Sequence, residues 1–212
     1  MKYFSYYLEE SVFDNLGGGR GHYRHPEELF LDHGKEGAVA AHRLLHDTAN
    51  NRHPLQKKGD GSLAFHIITG VDGKKGIATK SIDNKEPKIN YTHEDVEKNH
   101  GHSPGLVEKL KQALTHLKKV APKHGVYQGD VMFGENDKKE HKGGVSFTPN
   151  TITYTAKGDE AEKVKRAKFG VVVHTQYRED PNKPGFENMK ADSHPDVHHF
   201  KQHPDVWHKS AE

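Results

Sequence analysis

A chain of 212 residues, 32% hydrophobic and 29% charged, suits a single domain with a lean apolar core and extensive polar surface. Lysine plus arginine number 32 against 30 for aspartate plus glutamate, which excludes the global basic field that non-specific nucleic-acid binding exploits. The absence of cysteine removes disulfides, thiolate zinc sites and cysteine nucleophiles, and no run approaches the roughly 20 apolar residues of a membrane helix, so an intracellular protein without a membrane partner is expected.

In residues 1–25 the run Gly17-Gly18-Gly19-Arg20-Gly21 disfavours regular structure and predicts a flexible N-terminal segment. Over residues 26–50 the spacing of Leu29, Val39, Leu44 and Leu45 predicts helices broken near Gly34 and Gly37, packed on the downstream elements. The pattern then changes to strand: residues 63–68 and 76–81, joined by Gly70-Val71-Asp72-Gly73, predict a β-hairpin. Ser103 as cap and Pro104 in the first turn open a helix whose apolar face carries Leu106, Val107, Leu110, Ala113, Leu114 and Leu117, before Pro122 and Gly125 stop it. Strands are expected at 125–133, at 145–156 with a bend at Pro149-Asn150, and at 169–177, with a lysine-rich helix near 159–167. A hairpin, a helix and then several strands predict an α+β domain over residues 26–178, with an antiparallel or mixed sheet flanked by helices. Residues 179–212 read as a polar, histidine-rich C-terminal segment without a closing element.

The stretch Lys57-Lys58-Gly59-Asp60-Gly61 before the hairpin carries the most chemistry. A lysine is a nucleophile only as the neutral amine, and an unperturbed lysine, pKa about 10.4, is almost wholly protonated at pH 7. Lys57 or a Mg²⁺ ion would lower that pKa, and the glycines give a backbone that a triphosphate can approach closely. The alternative is an exposed turn.

Lys58-Gly59-Asp60-Gly61 resembles the nucleophile motif of ATP-dependent DNA ligases, RNA ligases and mRNA capping enzymes. Further matches stand in those families' order. Thr79-Lys80-Ser81, at the end of the expected hairpin, resembles their basic motif Ia, and Tyr127-Gln128-Gly129-Asp130-Val131-Met132-Phe133 resembles motif III. Val145-Ser146-Phe147 to Ile152-Thr153-Tyr154 occupies the place of motif IIIa. The resemblance implies a ligase adenylation-domain fold and a nucleotide partner, ATP or another NTP, whose α-phosphorus Lys58 attacks to form a lysyl-nucleotide while pyrophosphate leaves. It places Asp60 and Gly61 at the nucleotide, Lys80 near phosphate, Asp130 at the ribose or as a Mg²⁺ ligand, and Phe147 or Tyr154 against the base. DNA or RNA ends are the implied acceptor. Two motifs depart from the pattern: Lys168-Phe169-Gly170-Val171-Val172-Val173-His174-Thr175 lacks the glutamate of motif IV, and no Lys-x-Lys strand stands for motif V. Phe147-Thr148-Pro149-Asn150-Thr151-Ile152 and Gly170-Val171-Val172-Val173-His174-Thr175 also resemble proteins of large tailed bacteriophages, which implies a host-cytoplasmic or virion-associated chain.

Two other readings stand beside this one. His194, His198, His199, His203 and His208 belong to a set of 19 histidines and offer imidazoles to Zn²⁺ or Ni²⁺, although Pro195 and Pro204 interrupt any helix that would align them. A non-catalytic phage structural or interaction protein could retain the same fold, with Lys163-Val164-Lys165-Arg166-Ala167-Lys168 or the lysines of 109–123 as a local nucleic-acid surface.

Overall fold

A computed structural model describes residues 17–18, 22–23, 26–50, 60–84, 86–178, 189–192 and 195–210. Where a flexible connector was expected, β1 (Gly17–Gly18) and β2 (His22–Tyr23) form a short antiparallel ladder. Helix α1 (Pro26–Ala49) is broken at Gly34, whose φ of 54° and ψ of −125° suit only glycine and double the helix back on itself. At Gly37 the two arms touch: a Cβ there would lie 1.7 Å from the Leu29 carbonyl oxygen. The buried residues are accordingly Leu29, Ala40 and Ala41, a cluster of their own. Of the expected stripe only Leu29 is buried, since Leu44 is intermediate and Val39 and Leu45 are more than half exposed.

The main sheet has six strands in the order β10-β9-β5-β3-β4, with β11 also paired to β9. These are β3 (Ala64–Thr69), β4 (Lys75–Ala78), β5 (Gly125–Phe133), β9 (Phe169–Arg178), β10 (Lys190–Asp192) and β11 (Val206–Ser210). All ladders are antiparallel except β11 on β9, so the expected mixed sheet flanked by helices is what forms. One face is packed by α2 (His93–His100) and α3 (Pro104–Val120), whose Val96, Leu110, Leu114 and Leu117 meet Phe65, Ile67, Tyr127, Val131, Phe169, Val171 and Val173. Helix α2 has no counterpart among the expected elements although Thr92 and Asp95 cap it reciprocally: the Asp95 N–H donates to Thr92 Oγ1 (3.1 Å) and the Thr92 N–H to Asp95 Oδ2 (2.9 Å).

Beyond β5 a second, three-stranded sheet is made of β6 (Lys138–His141), β7 (Gly144–Phe147) and β8 (Tyr154–Ala156), covered by α4 (Gly158–Arg166). The single bent strand expected over 145–156 is thus two strands joined by the loop around Pro149-Asn150. Phe133, Phe147 and Val164 are the centre of this second cluster. Residues 80–81, expected on the hairpin, instead begin a 3₁₀ turn (Lys80–Asp83) capped by Thr79, whose hydroxyl accepts from the Ser81 N–H.

Two lysines take the place of ordinary helix C-caps. Lys75 Nζ donates to the carbonyls of Lys118 (3.0 Å) and Ala121 (2.8 Å) at the end of α3. Lys138 Nζ does the same to Val164 (3.2 Å), Lys165 (2.9 Å) and Ala167 at the end of α4. Each ammonium satisfies carbonyls the helix leaves open and sits at the negative end of its dipole. Burial pushes both amines below the usual lysine range.

The C-terminal segment is no appendage. β11 aligns with β9 from Val206↔Phe169 to Ser210↔Val173, and Phe200 and Val206 lie in the main core. The polarity of this stretch hid the structure because only a few apolar side chains do the packing. Truncation after Arg178 is therefore expected to abolish cooperative thermal unfolding measured by circular dichroism, whereas the full chain melts in one transition; an equally cooperative melt of the truncated chain would contradict this packing.

Candidate functional site

Strand β5 is hydrogen-bonded on both edges and packed on both faces, and from Val126 to Phe133 the one residue not buried is Asp130. Its side chain retains 14% exposure. Ala64 on β3 and Val172 on β9 flank it in the ladder. Among the described residues, none donates a hydrogen bond to its carboxylate, and the nearest basic side chain is His174, with Nε2 at 3.8 Å.

His174 reaches this position through a β-bulge. Gln128 pairs with Thr175 and Gly129 with Val173, which leaves His174 as the extra residue of β9. Its Nδ1 lies 2.8 Å from Thr175 Oγ1. On the same sheet face the Tyr177 hydroxyl donates to Gln128 Oε1 (2.7 Å), and His66 Nε2 is 3.4 Å from that hydroxyl. His174 is not among the residues expected at the site; an imidazole set between β-branched residues on a strand was the available signal.

The Lys-x-Asp-Gly motif meets this strand through its glycine. A Cβ on Gly61 would lie 2.2 Å from the Cβ of Asp130 and 3.1 Å from the Val131 carbonyl oxygen, so only glycine lets the chain pass so close. The Ser62 N–H donates to the same Val131 carbonyl (2.9 Å) and fixes the approach. Lys58 itself lies outside the described residues.

Asp60 turns the other way and clamps the loop between β7 and β8. Its carboxylate accepts from Asn150 Nδ2 (2.9 Å), the Thr151 N–H (3.0 Å), Thr151 Oγ1 (2.8 Å) and the Ile152 N–H (3.3 Å). Its own N–H donates to the Tyr154 hydroxyl at 2.7 Å. The Asn150 and Thr151 bonds lower the carboxyl pKa from 3.8 to about 2.

The structure thus brings Asp60, Gly61, Asp130 and Tyr154 together, and separates the two aromatic candidates by role. Phe147 is 5% exposed and enclosed by Phe133 (ring centroids 4.7 Å apart), Tyr154 (5.7 Å) and Trp207 (6.2 Å), so it is a core ring with no face to offer a base. Tyr154 is the outer, half-buried ring of that stack. Lys80 is exposed on its 3₁₀ turn rather than on the strand; continuing the His66↔Ala78 register would set it level with Ala64, the residue paired to Asp130.

For metals, no group of three or more His, Asp or Glu side chains is placed to hold an ion among the described residues. Asp130 alone fits the manner in which Mg²⁺ binds, through one or two carboxylates with substrate phosphates and water. The histidines near the C-terminus do not converge. His199 lies 3.3 Å from Asp196, His203 lies 3.8 Å from Asp205, and His208 is packed against Phe200, where burial lowers its pKa; His194 lies outside the described residues.

Because the folded pKa of Asp60 is depressed, the stability it adds is present above its unfolded value of 3.8 and lost as pH falls through about 2. Urea midpoints of the wild type are expected to drop more steeply between about pH 4 and about pH 2 than those of Asp60→Asn, which lacks this titration. Equal slopes in both proteins would remove the charge from the clamp.

No helix among the described residues is long and apolar enough to cross a membrane. Neither the curated proteins nor the solved structures contain a match to the chain. Residues 20–212 match a family of unknown function, DUF6267, and the chain belongs to that family.

Proposed function

We propose that the chain is a nucleotidyltransferase of the polynucleotide-ligase type, with Lys58 as nucleophile. The observation that carries this is the seating of Gly61 against Asp130: it puts the glycine of the Lys-x-Asp-Gly motif beside a half-buried carboxylate that accepts no hydrogen bond from a described residue. With 14% of its side chain exposed, that carboxylate is open to a bound polar ligand.

In this reading the Lys58 amine attacks the α-phosphorus of ATP or another NTP, a phosphorus–nitrogen bond forms, and the bond to the departing pyrophosphate breaks. The amine must lose a proton to act, and a cation brought with the triphosphate favours that loss. Asp130 would hold the ribose hydroxyls or supply one carboxylate to Mg²⁺, which supplies charge neutralisation at the phosphates. Tyr154 is the ring on the open side for a base to meet, and Lys80 faces solvent where phosphates would enter. A DNA or RNA end is the proposed acceptor of the nucleotidyl group. The non-catalytic alternative is favoured by one observation: the Asp60 carboxylate is already consumed by the 148–153 loop, so this part of the motif serves the fold.

Incubation of the full chain with ATP or GTP and Mg²⁺, followed by intact mass measurement, is expected to show a nucleotidyl adduct that is acid-labile and stable to mild base. Lys58→Ala should show none. Asp130→Asn should slow adduct formation by about tenfold or more while the protein stays folded, since charge-assisted contacts to ligand are worth at least that factor. A wild-type chain that stays unmodified with every nucleotide, with Mg²⁺ or Mn²⁺, would sink the enzyme and leave the non-catalytic alternative.

A further inference from the structure

A cavity of about 370 Å³ opens where α4 passes the edge of β11, and neither Asp60, Gly61 nor Asp130 is among its lining residues. Its lining includes Glu160, Lys163 and Arg166 from α4, His203 from the preceding loop, and Trp207 and Lys209 from β11. Three permanent cations therefore face one carboxylate. That carboxylate is occupied: Glu160 accepts the Trp207 indole N–H at 2.6 Å and the Lys209 ammonium at 3.1 Å, with Lys163 Nζ at 3.7 Å. Burial alone would raise the Glu160 carboxyl; the indole and the lysines outweigh it and hold it below the usual range, so it stays ionised as an anchor for both side chains.

Arg166 has no ion pair with a described residue. It stands one turn after Lys163 on the same helix face, so guanidinium and ammonium look into one concavity. The neighbouring lysines are committed elsewhere, Lys165 to Glu140 at 2.7 Å and Lys168 to Glu135 at 4.0 Å. A volume of 370 Å³ falls within the range of small-ligand sites and far exceeds a metal ion's needs. Excess positive charge and a planar fork of donors select a multivalent oxyanion over an apolar ligand.

We infer that this cavity binds a phosphate-bearing ligand, with Arg166 gripping the phosphate oxygens and Lys163 and Lys209 neutralising its charge. The site stands independently of the proposed nucleotidyl transfer. Its chemistry is shared by a free phosphate compound and by the backbone of a nucleic-acid strand.

Trp207 is the one tryptophan of the chain, so its indole N–H gives a single nitrogen-15 correlation that reports on the cavity. The full-length protein is titrated with inorganic phosphate, with pyrophosphate and with an oligothymidylate carrying a 5′-hydroxyl, each against sodium chloride at matched ionic strength. The expected result is a saturable shift beyond that of chloride. Saturation by phosphate or pyrophosphate assigns a free phosphate ligand, and saturation by the oligonucleotide alone assigns a nucleic-acid strand. Arg166→Gln is expected to weaken binding about tenfold or more, and Lys165→Gln to stay within about twofold. The inference is overturned if no titrant gives a saturable shift, if chloride reproduces it, or if Arg166→Gln, with its unliganded indole resonance in place, binds as the wild type does.

Discussion

Strand β5 is enclosed on every side, and that enclosure governs the rest of the architecture. Backbone ladders to β3 and β9 take its edges, α3 packs one face, and the Phe133 and Phe147 cluster and the Tyr177 group take the other. A strand in this position admits polar side chains only where they are paired or where a ligand completes them. Gln128 meets the first condition through Tyr177. Asp130 has only His174 Nε2 at 3.8 Å among the described residues and keeps 14% exposure, and Gly61 of the motif is laid against that position.

A chain with 32% hydrophobic residues has little apolar material to spend on such enclosure, and polar groups take over tasks that apolar contacts or glycine caps perform in richer sequences. Lys75 and Lys138 close the ends of α3 and α4 with ammonium groups. Asp60 organises an entire loop through four accepted hydrogen bonds across a separation of about ninety residues. A division within the motif results: its aspartate builds the wall, its glycine permits close approach, and its lysine is left for chemistry in the proposed reaction.

What could be read from the sequence was what is local. The periodicity of Val107, Leu110, Leu114 and Leu117 and the β-branched run of β9 each contain their own evidence, and both elements lie where expected. The reciprocal cap of Thr92 and Asp95 was also local, yet the helix behind it buries only Val96 and His100, too few to make a stripe. The roles of Phe147 and Asp60 depend on partners far along the chain, which no spacing rule supplies. The site was partly legible for the same reason: Asp130 was reached through the resemblance of its own strand to motif III, whereas His174 becomes its neighbour only through an irregular register.

The bulge at His174 changes the phase of β9. Before it, Phe169, Val171 and Val173 face the α3 core; after it, Tyr177 faces the opposite cluster, although all four numbers are odd. Loss of His174 would restore plain alternation and leave Tyr177 opposite Val126 and on the Gln128 face, at the cost of the imidazole beside Asp130, while a residue added at the exposed hairpin tip around Val71 would disturb no layer. Length variation among sequences sharing this fold thus has two outlets of unequal consequence: the turn of the first hairpin is free to grow or shrink, and the middle of β9 can shorten by one residue only by giving up its bulge and the side chain the bulge presents.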